Sequence, residues 1–166
     1  KNLLYIPTFE KSDGLLNNLF NNCYSLKRIE GVSSSQTITN TSAMFRNCRT
    51  LVYCGIDFTE LSSVKYAGGM FEQCAMLKSL SVEDWGTSAC TNMSNMFNGC
   101  TGLTSINVSG WNTSACTNMN GMFNGCTGLT SINVSGWDTS ACTNMNGMFS
   151  GCTGLTSINV SGWDTS

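Results

Sequence analysis

The sequence has no histidine and only one proline among its 166 residues. Without histidine there can be no Ser-His-Asp or Cys-His catalytic site, no histidine metal ligand and no histidine pH switch. Charged residues make up 11% and the formal net charge is −2. This argues against nucleic-acid binding, which needs a basic surface to neutralise phosphates. No apolar run reaches the roughly 18 residues of a transmembrane helix, so no membrane insertion is expected in this segment.

What the sequence does contain is a repeat of 26 residues. A Met-Phe pair recurs at this interval, with a cysteine three residues after each Phe and a leucine three residues later. Residues 101–126 and 127–152 differ at only two positions. Such a period predicts a solenoid, in which each repeat buries its apolar face against its neighbours. The pairs are Met44-Phe45, Met70-Phe71, Met96-Phe97, Met122-Phe123 and Met148-Phe149.

Each repeat is predicted to contain one short strand and one short helix. Ile106 and Val108 alternate with polar residues, which is typical of a half-buried strand. The later apolar residues follow the i, i+3, i+4, i+7 spacing of a helical stripe, with Thr117 as its N-cap. Gly121 is a weak helix former, so the helix is expected to be short and partly 3₁₀. The stripe consists of Met119, Met122, Phe123 and Cys126.

The repeat resembles that of the BspA-like leucine-rich-repeat surface proteins. Residues 96–121 read MFNGCTGLTSINVSGWNTSACTNMNG, and the M-F-x-G-C, aromatic and D/N-T-S elements occur in the family's order. The resemblance implies a right-handed α/β solenoid and a cell-surface or secreted adhesion protein rather than an enzyme. One departure is cysteine at positions 90, 116 and 142, where the family has a buried valine; Val64 keeps it.

The repeats divide the chain into two regions. Residues 1–43 are expected to be degenerate repeats that form an N-terminal cap. Leu3, Tyr5 and Leu16 fall at positions equivalent to apolar positions of the regular repeats, and Pro7 is expected at the edge of the cap. Residues 44–166 are regular repeats that end mid-repeat, from which we expect the protein to continue or to meet a partner. Charge is segregated as well, because only Asp138 and Asp164 follow Trp85.

The ten cysteines have three interpretations. Zinc is disfavoured, because there is neither a C-x-x-C pair nor a histidine. Disulfides between equivalent cysteines suit the roughly 4.8 Å spacing of stacked strands. They would, however, break the symmetry of series with more than two members. Buried thiols that act as small apolar residues are favoured, and no metal or cofactor is expected.

The tryptophans and the exposed strand residues provide candidate binding sites. The Trp series at 85, 111, 137 and 163 is either a sugar-stacking platform or, as we favour, filling for the corner after the strand. If Ile106 and Val108 point inward, the residues between them form a polar face on the presumed concave surface, which is either a binding site or simply solvated. Its candidate ligand-binding residues are Arg28, Glu30, Tyr53, Asp57, Ser79, Ser81, Glu83, Ser105, Asn107, Ser109, Ser131, Asn133, Ser135, Ser157, Asn159 and Ser161.

These observations leave several functions open. The favoured one is a surface adhesion module that binds a host matrix protein, a cell-surface protein or a glycan. The alternative is a self-assembling subunit of an extracellular filament or layer, favoured by the nearly uncharged second half. Ice binding through the Ser/Thr/Asn rows is a third possibility. No enzyme is expected, because no base is available to activate a serine. Asn107, Asn133 and Asn159 also begin N-x-S sequons, and glycans there would cover the face.

Overall fold

The chain forms a solenoid of stacked repeats. The structure, a computed structural model, describes residues 14–30 and 36–164. One position in each repeat pairs in parallel with the same position in the next repeat. The pairs run continuously through Leu15, Asn40, Tyr66, Asn92, Asn118 and Asn144. These residues define the asparagine row.

Regular secondary structure is sparse in the described part of the chain. Strand β1 spans Arg28–Ile29 and strand β2 spans Tyr53–Cys54. They pair in parallel, with Arg28 opposite Tyr53. A 3₁₀ helix spans Phe58–Leu61, and the Asp57 side chain caps its N-terminus by accepting a hydrogen bond from the Thr59 amide.

The predicted strand is reduced to a single bridge in the later repeats, where Ser105 pairs with Ser131. Its predicted alternation is nevertheless present, since Ile106 and Val108 are buried while Asn107 is exposed. The Asn107 side-chain oxygen accepts hydrogen bonds from the amide of Ser109 at 3.3 Å and from its hydroxyl at 2.8 Å. This turn ends the extended segment after a few residues.

The predicted helix is wrong: residues 119–126 form a series of tight turns. Gly121 and Gly125 have φ angles of 60° and 71°, which a right-handed helix does not allow. Thr117 is accordingly not an N-cap; its amide and hydroxyl both donate to the carbonyl of Thr91 in the preceding repeat.

Backbone hydrogen bonds of this segment alternate between two directions. In residues 93–99 the odd-numbered amides donate to the next repeat, for example Phe97 to the Met122 carbonyl at 2.8 Å. The even-numbered amides donate within the repeat, for example Asn98 to the Asn95 carbonyl at 3.1 Å. Overlapping turns thus bury the apolar stripe while half of their hydrogen bonds join neighbouring repeats.

A column of phenylalanines runs through the core. Consecutive rings stack with centroids 5.3–5.7 Å apart and interplanar angles of at most 11°. Each repeat thus contributes one ring to a continuous stack in the core. Its members are Phe20, Phe45, Phe71, Phe97, Phe123 and Phe149.

The tryptophans fill the corner after the strand position, as predicted. The indole N–H of Trp111 donates to the Val82 carbonyl at 2.9 Å, and that of Trp137 donates to the Val108 carbonyl at 3.1 Å. Both side chains are at most 3% exposed. These two side chains and the equally buried Trp85 are thus inaccessible to a sugar ring. Only Trp163 is partly exposed, so the series does not form a continuous Trp platform.

The cysteines occupy core positions. All ten are unpaired thiols, and seven of them are buried. In the series that follows the phenylalanines, each thiol from Cys48 to Cys152 donates to a carbonyl of the preceding repeat. For example, Cys100 donates to the Phe71 carbonyl at 3.1 Å and Cys126 to the Phe97 carbonyl at 3.1 Å. The thiols thus combine apolar burial with a weak hydrogen bond between repeats.

The N-terminal cap is described only in part. Leu16 is buried and packs in the common core with Phe20, while Leu3, Tyr5 and Pro7 lie outside the described residues.

Candidate functional site

The candidate site is the outward side of the strand positions, which we call the strand-row face. It contains the sixteen residues proposed above as ligand-binding. Fourteen are exposed, and Arg28 and Glu30 are partly buried. The chain places them on one side because their inward neighbours, such as Ile106 and Val108, are held in the core.

The asparagines of this face are held by their own repeats and not by bonds between repeats. Asn133 accepts from both the amide and the hydroxyl of Ser135, at 3.2 and 2.8 Å, as Asn107 does from Ser109. Asn159 accepts from the Ser161 amide at 3.1 Å. One carbonyl oxygen is therefore used in each turn, and the side-chain N–H₂ group of each asparagine remains a potential ligand donor.

A shallow groove lies between two successive repeats of the face. Ser105 and Asn107 line one side and Ser131 and Asn133 the other, with Ile106 and Ile132 at the bottom. The lining carries no formal charge. Such a groove suits hydroxyl and amide groups better than ions.

The N-terminal end of the face has different chemistry. The Arg28 guanidinium lies over the Tyr53 ring, with its central carbon 3.9 Å from the ring centroid. It also donates two hydrogen bonds to the Glu30 carboxylate, one from Nη2 to Oε2 at 3.2 Å and a second from Nε. This pairing lowers the pKa of Glu30 and raises that of Arg28. The charges thus neutralise each other beside an exposed aromatic ring.

Carboxylates are concentrated along one margin of the strand-row face. Asp57, Glu83 and Asp84 surround a small cleft with Ser81. Asp57 is already bonded to the hydroxyl of Thr59 at 2.6 Å and to its amide at 3.0 Å, and these bonds lower the pKa of Asp57. This acidic margin disfavours an anionic ligand.

Asp138 serves as a turn residue. It accepts from the amide and hydroxyl of Ser140 at 3.0 and 2.6 Å, just as Asn112 does from Ser114 at 3.1 and 2.7 Å. The bonds from Ser140 lower the pKa of Asp138. Asparagine and aspartate fill the same structural place, which explains their exchange between repeats.

Four exposed apolar residues near this end were not among the sequence candidates. Tyr24, Val52, Tyr66 and Met76 are 47–55% exposed. The available signal was their replacement by polar residues or glycine at the same position of later repeats: Val52 is followed by Lys78 and Thr104, and Tyr66 by Asn92. Departure from the repeat consensus therefore marks the chemically distinct surface.

Neither a membrane helix nor a metal cluster is found among the described residues. The 3₁₀ helix Phe58–Leu61 is their only helix, and at four residues it is too short to cross a bilayer. Within the same part of the chain, no group of three or more Cys, Asp or Glu residues is placed to hold a metal ion.

Stacked repeats, parallel pairing and a continuous core define a solenoid of repeats, and a similar solved structure of a leucine-rich protein supports this fold. A leucine-rich cell-surface protein from Faecalibacterium prausnitzii A2-165 matches 85% of the chain with a TM-score of 0.57 and 22% identity. The match covers 34% of that protein, so the chain spans about a third of its length. A T. pallidum leucine-rich-repeat protein matches 92% of the chain and 77% of its own, with a TM-score of 0.47 and 16% identity. No match was found among curated proteins.

The family is shown by sequence. Residues 15–105 and 101–166 match the model of the family described as "Mycoplasma protein of unknown function, DUF285". The chain belongs to this family.

Proposed function

We propose that the chain is a non-enzymatic binding module of a cell-surface or secreted protein. It adheres through the strand-row face to a host matrix protein, a cell-surface protein or a glycan. The observation that supports this most is the exposure of the same polar positions in repeat after repeat, on a backbone fixed by the core beneath. Repeated weak contacts of this kind add up to useful avidity. The cell-surface description of the F. prausnitzii protein is consistent with this location.

The test is binding of the fluorescently labelled chain to cultured epithelial cells and to immobilised matrix proteins. The variant Ser105→Lys/Ser131→Lys places two long cations on the face, while Thr117→Lys/Thr143→Lys adds the same charge at exposed positions beside the asparagine row. We expect the first to lose at least about tenfold in affinity and the second less than about threefold. Equal binding by the two variants would overturn the role of the face, and absence of binding by the unmodified chain would overturn the function.

A second candidate is a self-assembling structural subunit. It is favoured by the second half of the chain, where Asp138 and Asp164 are the only charges after Trp85, so copies would hardly repel one another. Assembly would appear as ordered polymers that lengthen with protein concentration in the absence of any ligand.

A further inference from the structure

We propose that Tyr53 and the serine positions of the next repeat form a subsite for a neutral carbohydrate. The proposal rests on the function proposed above, because it specifies the chemistry of the partner that the strand-row face binds. The buried tryptophans cannot provide the stacking surface, whereas the Tyr53 side chain is 41% exposed.

The Tyr53 ring is held in a fixed orientation. Arg28, its partner in the parallel pair, places its guanidinium over the ring, and Glu30 holds that guanidinium by two hydrogen bonds. A ring that is already ordered loses little conformational freedom when a ligand stacks on it.

Gly55 makes room for this arrangement. A Cβ at this position would lie 3.0 Å from both Cε1 and the hydroxyl oxygen of Tyr53 and 2.5 Å from the Glu30 carbonyl oxygen. Later repeats have Ser81 and Asn107 at the same place, and they have no aromatic residue two positions earlier. Tyrosine at 53 and glycine at 55 thus belong together as one feature.

The surface next to the ring is small and polar. Ser79 and Ser81 occupy the Tyr53 and Gly55 positions one repeat later, and both are exposed. The groove between Ser105 and Asn133 continues the face. At roughly 4.8 Å per repeat, the path from Tyr53 to Ser131 is about 14 Å long, which suits a short oligosaccharide. Tyrosine stacks on the C–H face of a pyranose, while hydroxyl and amide groups bond its hydroxyls.

The charged residues of the strand-row face and its acidic margin favour a neutral sugar over an acidic one. Arg28 is already paired with Glu30, so it offers no free cation. Asp57, Glu83 and Asp84 on the margin would repel a carboxylate or sulfate. A protein partner would instead need pockets for aromatic or apolar anchors, whereas this surface offers hydroxyls and amides.

The proposal is tested by titrating the full chain with defined sugars and monitoring binding by ligand-observed NMR. The probes are lactose, cellotriose, maltotriose and chitotriose, with 3′-sialyllactose as the acidic counterpart of lactose. We expect at least one neutral probe to bind and the sialylated one to bind more weakly than lactose. Tyr53→Ser, which introduces the residue of positions 79, 105 and 131, should weaken binding at least about tenfold, whereas Tyr53→Phe keeps the ring and should retain it.

Tyr66→Asn is the matched control. Tyr66 is 49% exposed, against 41% for Tyr53, and lies in the asparagine row outside the face. The variant carries the residue found at positions 40 and 92. The affinity of Tyr66→Asn for the neutral probes should be the same as that of the unmodified chain. No binding of any neutral probe, or equal losses in Tyr53→Ser and Tyr66→Asn, would overturn the subsite.

Cell binding separates this proposal from the one on which it rests. If the chain binds cells equally well before and after periodate oxidation of their glycans, the partner is a protein. The carbohydrate proposal is then wrong while the adhesion function stands. If the chain binds no cells, the adhesion function fails, and the sugar titration still decides the subsite by itself.

Discussion

At the scale of the residue, the buried cysteines make the stability of the fold depend on alkaline pH. Burial raises the pKa of Cys90 and of Cys126 to about 12, from an ordinary value of 9.0. A thiol that stays protonated in the core but ionises in the unfolded chain links folding to alkaline pH. The same burial keeps the reactive thiolate form scarce at neutral pH.

The free energy of unfolding should therefore fall as pH rises from about 9 to about 12. In this window the unfolded state releases thiol protons that the folded state keeps, so each such thiol lowers stability by about 1 kcal/mol per pH unit. Urea unfolding in the presence of reductant, repeated at pH 8, 9, 10 and 11, measures the slope. Cys90→Val is the comparison, because Val64 already occupies this core position one repeat earlier.

Cys90→Val should fold normally and show a shallower alkaline loss than the unmodified chain. Equal slopes would mean that the Cys90 thiol does not contribute through its ionisation.

At the scale of the element, the tight-turn segment around each Met-Phe pair supplies many of the hydrogen bonds that join neighbouring repeats. The i, i+3, i+4, i+7 spacing predicted a helix, but overlapping turns satisfy the same spacing. The missed signal was the recurrence of glycine or asparagine four residues apart: Asn95 with Gly99, then Gly121 with Gly125. All four residues have positive φ angles. These are the residue types that tolerate the left-handed conformation.

Substitutions at one position of this element distinguish a turn from a helix. Gly121→Ala would gain about 1 kcal/mol in a helix. In the turn it should lose about 1–2 kcal/mol, because the residue has a φ of 60° and its Cβ would lie 2.4 Å from the Asn95 side-chain oxygen. Ala43, two repeats before Asn95, has a φ of 54°. Ala43→Gly should therefore gain about 0.5–1 kcal/mol.

Urea denaturation of the two variants measures both changes. If Gly121→Ala raised the free energy of unfolding and Ala43→Gly lowered it, the segment would be a helix and the turn assignment would be wrong.

The same contrast shows what the sequence could predict. The period, the core positions and the exposed polar face could be predicted from spacing alone. Ile106 and Val108 alternate with polar residues, and both recur with Trp111 at the same place in successive repeats. The stacking of Arg28 on Tyr53 could not be predicted, because it depends on side-chain placement across two repeats that are 25 residues apart instead of 26. The right-handed winding and the BspA-like form of the repeat remain predictions.

At the scale of the whole molecule, the chain carries two chemically different surface regions on one continuous core. Its first repeats carry the charged and aromatic residues, including Arg28, Tyr53 and Glu83, whereas the repeats after Trp85 are almost uncharged. We infer that the first repeats determine what is bound and that the later ones extend the contact. A binding module acts as a single chain, while a structural subunit acts only as an assembly, so the two functions differ first in molecular mass.

Static light scattering of the purified chain, with and without reductant, tests most directly whether the chain acts as a binding module. The protein concentrations should reach those at which the chain saturates epithelial cells, and the same samples should be imaged in negative stain. A binding module predicts the mass of a single chain, 17.8 kDa, at every concentration and in both conditions. Ordered polymers that survive reductant and form without cells would contradict it and make assembly the function.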